Sequence, residues 1–596
     1  MWPTMSLDSV SSQQHAPLHA PTATVQVIGT CWAVAAGHAL ASEAAACVLW
    51  AGGNAIDAGV AAGLTLGVVH PDMVSVAGVA PILVHVARTG ETFQVSGVGP
   101  YPRASSVAYF RERHGGQIPP GLPRTVVPAA PDAWLTALER WGTMSFGDVA
   151  RAATEHAERG FPVSTFSAYQ MATNADKYRR WPTSVALFLR DERAYRAGEI
   201  LVQRELGETL RRMARAEAKA GGSREAGIRA ARDEFYRGET ARRIAEFHRA
   251  SGGPLTDEDL AEFGVEVAPA LTTPFGAWDV AACGFWCQGP VLLQMLNLLN
   301  GVDLAALGHN APAYLHRIVE TVKLAFSDRD AYYGDPRFVK IPVAGLLSKA
   351  YAEARSALVG ARAWPDMPSA GDPYRLTAER RREAALPVTG GSQPVQAGRG
   401  SDELDTSYVA VVDEAGNGFS ATPSDPNVDS PVVPGVGCVV SPRGSQGWLD
   451  PEHPSVVAPG KRPRLTPAPA MAFTGGRLFM PFGTPGGDVQ QQAMLQVFLN
   501  VTVYGMELQR AIEAPRVASR SFPDSFWPHA HAPGKLEVER RIPRETRDAL
   551  GGLGHAVVEW PEWEWRAGAV CAVRVGPDGT RWAGVDPRRG SHAIAR

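Results

Sequence analysis

Cysteine is scarce in this chain: six residues in 596, at Cys31, Cys47, Cys283, Cys287, Cys438 and Cys571. Only Cys283 and Cys287 are close together, so no disulfide framework is encoded, and a single CxxxC pair without a nearby histidine or second pair is not a zinc motif. Reduced, partly buried thiols are the remaining reading. Neither sign of charge dominates, with 58 Lys+Arg against 61 Asp+Glu and a net charge of -3. No extended run of like charge offers a footprint for nucleic acid or an anionic membrane. An apolar run of about 20 residues, as a membrane helix needs, is also missing; the nearest stretch, 51–69, is interrupted by Asn54 and Asp57. The first 26 residues have neither a basic start nor an apolar h-region, so the cytoplasm is the expected location. Absent too are GxSxG, HExxH, GxxxxGK[ST] and a strand-to-helix GxGxxG. His529 and His531 could share one side of a strand but have no third ligand nearby, so they read as packing residues.

What is present is ordinary globular composition, 45% apolar and 20% charged, enough for a large core or two closely packed halves. Residues 1–28 read as a polar leader. Residues 34–69 read as a short strand running into one long, central helix of small residues. Residues 81–97 have two apolar runs about Arg88-Thr89-Gly90 and predict a hairpin. Residues 131–262 are helical in pattern, with acid and base at helical spacing on a solvated face, and Thr256 is the expected N-cap of a short helix. Further helices are predicted over 292–304 and 314–333.

Composition shifts over 365–405 to Pro, Gly, Ser and charge, a linker that could bury little apolar surface. It ends at Asp405-Thr406, where TSYVAVVDEAGNGFSAT predicts two short strands about a turn. Helices bracketed by hairpins predict helical layers on antiparallel sheet. A tether running into a Thr that opens a hairpin is the arrangement a self-cleaving precursor requires, giving pieces 29–405 and 406–596.

The strand TSYVAVVD with EAGNGFSAT resembles the start of the small subunit in the γ-glutamyltranspeptidase family, where the catalytic Thr opens an apolar strand that turns through Gly-Asn. The same family is resembled, in the same order, by GHALASEAAACVLWAGGNAIDAGVAAGLTLGVVHP, GFPVS, FYRGETARRIAEFHRASGGPLTDEDLAEF, DRDAYYGDPRFVKIP, KRPRLTPAPAM, GTPGGDVQQQAMLQVFLN and GVDPRRG. The resemblance implies an α+β fold, the four-layer αββα sandwich of N-terminal-nucleophile hydrolases. It also implies cleavage between Asp405 and Thr406, Thr406 as nucleophile, Gly486 and Gly487 as oxyanion donors, and Ser424, Asn417 and Thr466 as nucleophile-orienting or substrate residues. No cofactor or metal is implied. The partners implied are a small-molecule or peptide amide and the chain's own second fragment. The chemistry is sound: a free α-amine, with a pKa near 7.7–8.0, gives an N-terminal Thr its own base.

The family pattern breaks where substrate is recognised. Val98 in Ser96-Gly97-Val98-Gly99 holds the position of the family's carboxylate-binding Arg, and an isopropyl group cannot replace a bidentate guanidinium; Arg103 is the nearest candidate substitute. Leu465-Thr466 replaces a Ser-Ser pair, and the acidic residues that the family uses for a substrate amine have no matching equivalent in SPRGSQGWLDPEH. These changes predict the same bond-breaking machinery on a different acyl group: the leading expectation is a γ-glutamyltransferase-like amidohydrolase, the alternative an amidase resembling oxamate amidohydrolase or a cephalosporin-type acylase, and a silent binding protein is the alternative of another class. Phe522, Phe526, Trp527, Trp560, Trp563, Trp565 and Trp582 are candidates for an aromatic acyl pocket or for ordinary core.

Overall fold

The computed structural model of the protein describes residues 22–375 and 405–596. The leader up to residue 21 and the linker from 376 to 404 lie outside the described residues. Two seven-stranded antiparallel sheets form the centre. One runs, edge to edge, through His592–Ala595, Ala33–Ala36, Val409–Val412, Gly418–Ala421, Ile82–Val86, Glu91–Val95 and Val267–Pro269. The other runs through Val27–Gly29, Arg581–Gly584, Cys571–Val575, Arg477–Gly483, Ala470–Thr474, Trp278–Ala282 and Leu271–Phe275. The end of the predicted leader is thus an edge strand, Val27–Gly29, paired with Arg581–Gly584.

The period-2 alternation of strands explains the layers. On Val409–Val412, Val409 and Val411 pack with the helices, whereas Ala410 and Val412 pack against the second sheet with Met471, Leu478 and Val573. Helices Ala39–Trp50, Ala55–Val69 and Ala130–Trp141 cover the outer face of the first sheet. Gly289–Leu299, Pro312–Tyr332 and Gln490–Thr502 cover the outer face of the second. The architecture is the αββα sandwich that the resemblance implied.

The long helix expected over 34–69 is two helices, because Gly52 (φ 91°) adopts a conformation that ends the first and Asn54 caps the second in a capping box with Asp57. Ala55–Val69 is buried along its whole length, as a central helix should be. Its small residues are required: a Cβ on Gly59 would lie 2.1 Å from the ring of Phe419, and one on Gly63 2.6 Å from Trp134. The predicted hairpin over 81–97 is present in register Ile82↔Val95, and Thr256 caps Asp257–Ala261 in a capping box with Asp259.

Candidate active site

Thr406 stands three residues before the strand Val409–Val412 and is 1% exposed. Strand alternation gives it the parity of Tyr408 and Ala410, which face the space between the sheets. Its bridge partner is Ser424, at the matching end of the following strand. Thr406 Oγ1 is 3.0 Å from Ser424 Oγ, and Ser424 Oγ donates to the carbonyl of Asp405 at 2.7 Å. Because that donation uses the one hydroxyl proton of Ser424, Thr406 donates to Ser424. The hydroxyls therefore form a chain that starts at Thr406 and ends on the carbonyl of the residue before it.

Arg443, fully buried, anchors this chain. Its guanidinium donates to Ser424 Oγ and pairs with the buried carboxylate of Asp425, and Nη1 donates to Thr466 Oγ1 at 3.2 Å. Thr466 also accepts from Gln446 Nε2 at 3.0 Å, so its hydroxyl is held within the same group. Asp425 is a non-glycine residue with φ 90°; it persists there because the ion pair and a 2.5 Å bond from Ser441 hold it.

A second arginine grips the other side of the Asp405–Thr406 bond. Arg589 Nη1 lies 2.6 Å from Asp405 Oδ2, its guanidinium stacks over Trp565 and Phe166, and Nε donates to the Trp565 carbonyl at 2.9 Å. Asp405 Oδ1 accepts from the Thr406 N–H at 2.9 Å. Beside them, burial and the nearby Arg589 charge push His70 down to about 3, and burial pushes Asp72 up to about 6.

Gly486 and Gly487 follow the strand Arg477–Gly483, whose last residue lies against Tyr408: a Cβ on Gly483 would be 2.3 Å from that ring. Both have positive φ, 123° and 53°. Gly487 also lies against Phe526, whose ring sits 5.4 Å from the Arg443 guanidinium. The loop is braced from behind, since Gln288 Nε2 donates to the Gly487 carbonyl at 3.0 Å and Arg329, itself paired with Asp488 at 2.5 Å, donates to Gln288. Neither glycine N–H is spent on a hydrogen bond among the described residues.

Asn417 is not brought to this group. It closes the turn at the opposite end of the hairpin, seven residues from Thr406's end, roughly 20 Å at about 3.3 Å per residue. Its amide donates to Asp413 Oδ2 at 2.9 Å and accepts from Ala87 N at 3.0 Å, so both side-chain atoms serve the turn. Val98 is buried between the sheets, and Arg103 does not replace the lost clamp: it pairs with Glu262 and its side chain is 55% exposed. Of the aromatics, Phe526 and Trp565 stand beside Arg443 and Arg589, whereas Phe522 stacks on Phe326 and Trp560 belongs to the helix-side core. His529 and His531 are apart in role: His529 stacks on Trp448 at 3.8 Å, and His531 lies 3.0 Å from Asp366.

A family model for γ-glutamyltranspeptidase matches residues 41–596. The chain belongs to the γ-glutamyltranspeptidase family. Acylase ACY 1 proenzyme of Pseudomonas sp. (strain SE83) is 31% identical over 560 residues, covering 92% of this chain and 90% of that one. Glutathione hydrolase-like YwrD proenzyme of Bacillus subtilis (strain 168) is 31% identical over 575 residues, covering 95% and 99%. The solved structure of LmbA2991HD superposes with a TM-score of 0.88 at 36% identity, covering 96% of this chain and 100% of that one. Sequence reasoning missed Arg443 and Arg589 among the residues around the Asp405–Thr406 bond, although both stand in segments that it quoted, SPRGSQGW and GVDPRRG.

Proposed function

We propose that this family member is an amide-bond hydrolase or acyltransferase that cuts its own chain between Asp405 and Thr406 and then uses Thr406 as an N-terminal nucleophile. The observation that carries the reading is the hydroxyl chain around the intact bond: Thr406 to Ser424 to the Asp405 carbonyl. In self-cleavage Thr406 Oγ1 attacks that carbonyl carbon. Its proton passes to Ser424, whose own proton is hydrogen-bonded to the oxygen on which negative charge develops. Collapse breaks the C–N bond, the nitrogen takes a proton, and an ester remains on Thr406. Water hydrolyses the ester, giving a new carboxylate on Asp405 and a free amine on Thr406.

That amine then serves as the base for the next acyl transfer, and the Gly486 and Gly487 N–H groups supply oxyanion donors, each of the kind worth about 2.7–4 kcal/mol to the transition state. The fragments stay together because both sheets interleave them. Ala33–Ala36 pairs on its two sides with Val409–Val412 and His592–Ala595, and Trp278–Ala282 pairs with Ala470–Thr474. Val98 in place of a guanidinium supports an acyl group other than γ-glutamyl, and hydrolysis is favoured over transfer to an acceptor.

The test is intact mass and N-terminal sequencing of wild type beside Thr406→Ala. Two wild-type fragments, the smaller beginning Thr-Ser-Tyr-Val-Ala, with a single uncut variant chain, are expected. A wild-type chain that stays whole and inactive on a panel of amides would sink the reading.

A further inference from the structure

The outer helix layer carries a buried cluster that the nucleophile does not use. His316 and Glu320 are one turn apart on Pro312–Tyr332, and the i, i+4 spacing puts them on one face. His555 enters from beyond the helix Arg544–Gly552, just after Gly554, whose φ of 105° makes the turn. All three are buried, and one ligand atom from each lies within 4.8 Å of the others.

The hydrogen bonds orient these groups toward one another. His316 Nε2 is 3.0 Å from the carbonyl of Gly360, and a carbonyl only accepts, so that nitrogen holds the proton and Nδ1 presents its lone pair to the cluster. His316 Nδ1 is 2.9 Å from His555 Nε2, which therefore donates, while His555 Nδ1 is buried without a hydrogen-bond partner among the described residues. Glu320 Oε2 accepts from Trp364 N at 3.0 Å, and Lys323 Nζ lies 2.8 Å from Oε1. A cavity of about 580 Å³, lined by His316, Arg317, Gly360 and Leu553 among others, opens alongside.

We propose that His316, Glu320 and His555 form a site for one divalent ion of the zinc type. Two imidazole nitrogens and a carboxylate oxygen are a ligand set zinc takes, with the fourth position left to water from the cavity. Bonds of about 2.0–2.1 Å in tetrahedral geometry separate two histidine nitrogens by about 3.4 Å, so the His316–His555 contact opens by roughly half an ångström. His555 shifts its proton from Nε2 to Nδ1, the nitrogen now without a partner, and no net proton is released by the histidines. Lys323 releases Glu320 and keeps its 2.7 Å bond to the Trp364 carbonyl. Because His316 and Glu320 precede Asp405 and His555 follows it, the ion clasps the two fragments; that last consequence rests on the proposed cleavage, and the binding itself does not.

The experiment is calorimetric titration of chelator-stripped protein with zinc chloride, for wild type, His316→Ala, His555→Ala and the size-conserving His555→Gln, each checked for fold by circular dichroism. One zinc per wild-type chain is expected, with affinity in the histidine variants lost or lowered by more than the roughly 10–100-fold that losing an outer-shell partner costs, and with a rise in Tm that they lack. The uncut Thr406→Ala chain binds equally well, which separates this site from the cleavage reading. No zinc uptake by wild type, or uptake that all three variants retain undiminished, overturns the proposal.

Discussion

At one end of the hairpin 406–424, Thr406 and Ser424 pass a hydroxyl chain onto a backbone carbonyl under a buried guanidinium. At the other end, Asp413 and Asn417 lock the turn: Asp413 accepts from the Asn417 backbone and side chain and from Ala55 N, all at 2.9 Å. Both ends are polar and poorly exposed, yet they differ in what their hydrogen bonds are attached to. The turn end ties side chains to backbone that no reaction alters. The Thr406 end ties two hydroxyls to the carbonyl of the Asp405–Thr406 bond, the bond that the proposed function has cut, so the interactions that order it are also those the proposed chemistry would use. Polarity and burial alone do not mark a site; the attachment of each partner does.

The largest expected effect tests whether the Thr406 end also carries structural weight. Arg443→Met leaves the Asp425 carboxylate buried and uncompensated, a situation that typically costs about 3–5 kcal/mol. Urea unfolding in the uncut Thr406→Ala background should show that loss. Adding Asp425→Asn should recover much of the stability without restoring self-cleavage in an otherwise wild-type chain. A stability change below about 1 kcal/mol for Arg443→Met would mean the arginine is not the anchor of this end.

Next is pH. Asp72 is fully buried and its carboxyl is raised from 3.8 to about 6, so the folded state holds this proton more tightly than the unfolded chain does. Its contribution to stability is full below about pH 4 and is lost as pH rises through about 6. About two units correspond to roughly 3 kcal/mol at most. Asp72→Asn removes this titration, so the difference in unfolding free energy between Asp72→Asn and its parent should shift in favour of the variant as pH rises from 4 to 7. Parallel profiles would show that Asp72 is not desolvated as described. His70 moves in the opposite sense, down to about 3, and its contribution falls away as the solution is acidified from about 6.5 towards that value; because His70 Nε2 lies 3.8 Å from Asp72 Oδ2, the comparison is made in a shared His70→Gln background.

Ser424→Ala removes the proton relay and the donor to the scissile carbonyl while deleting only a hydroxyl. Self-cleavage should slow by about 10²–10³-fold, as loss of one donor to a developing oxyanion does, followed as the decay of uncut chain on a gel. Cleavage at the wild-type rate would remove Ser424 from the mechanism.

Much of this comparison was legible in the sequence. The hairpin and its turn lie in short segments whose alternation and turn residues act locally, so spacing locates them, whereas the Gly-Gly loop and the role expected of Thr406 were legible only through the family resemblance. The arginines were not legible in their roles. Arg443 reaches Ser424 from a short 3-10 turn, and Arg589 reaches Asp405 from a loop 184 residues further on. In sequence an arginine reads as surface charge, and only the long-range packing that buries it against Phe526 or Trp565 reveals otherwise. His316 and His555 escape notice for the same reason, being 239 residues apart. The split of the first long helix was carried by Gly52-Gly53-Asn54, whose signal for a stop and a cap was outweighed by the small apolar residues around it.

The sharpest test of the comparison has the smallest effect. Asn417→Ala removes two side-chain hydrogen bonds from the turn, leaving Ala87 N–H short of a partner while Asp413 Oδ2 keeps its bond from Ala55 N. With each net bond worth about 0.5–1.5 kcal/mol, urea unfolding should show a loss of about 1–2 kcal/mol. Because the turn lies at the far end of the hairpin from Thr406, the rate of self-cleavage should stay within about twofold of wild type under conditions where the variant is folded. A large fall in cleavage or turnover with unchanged stability would reverse the assignment, since Asn417 would then act on the reaction from a distance that its hydrogen bonds do not span.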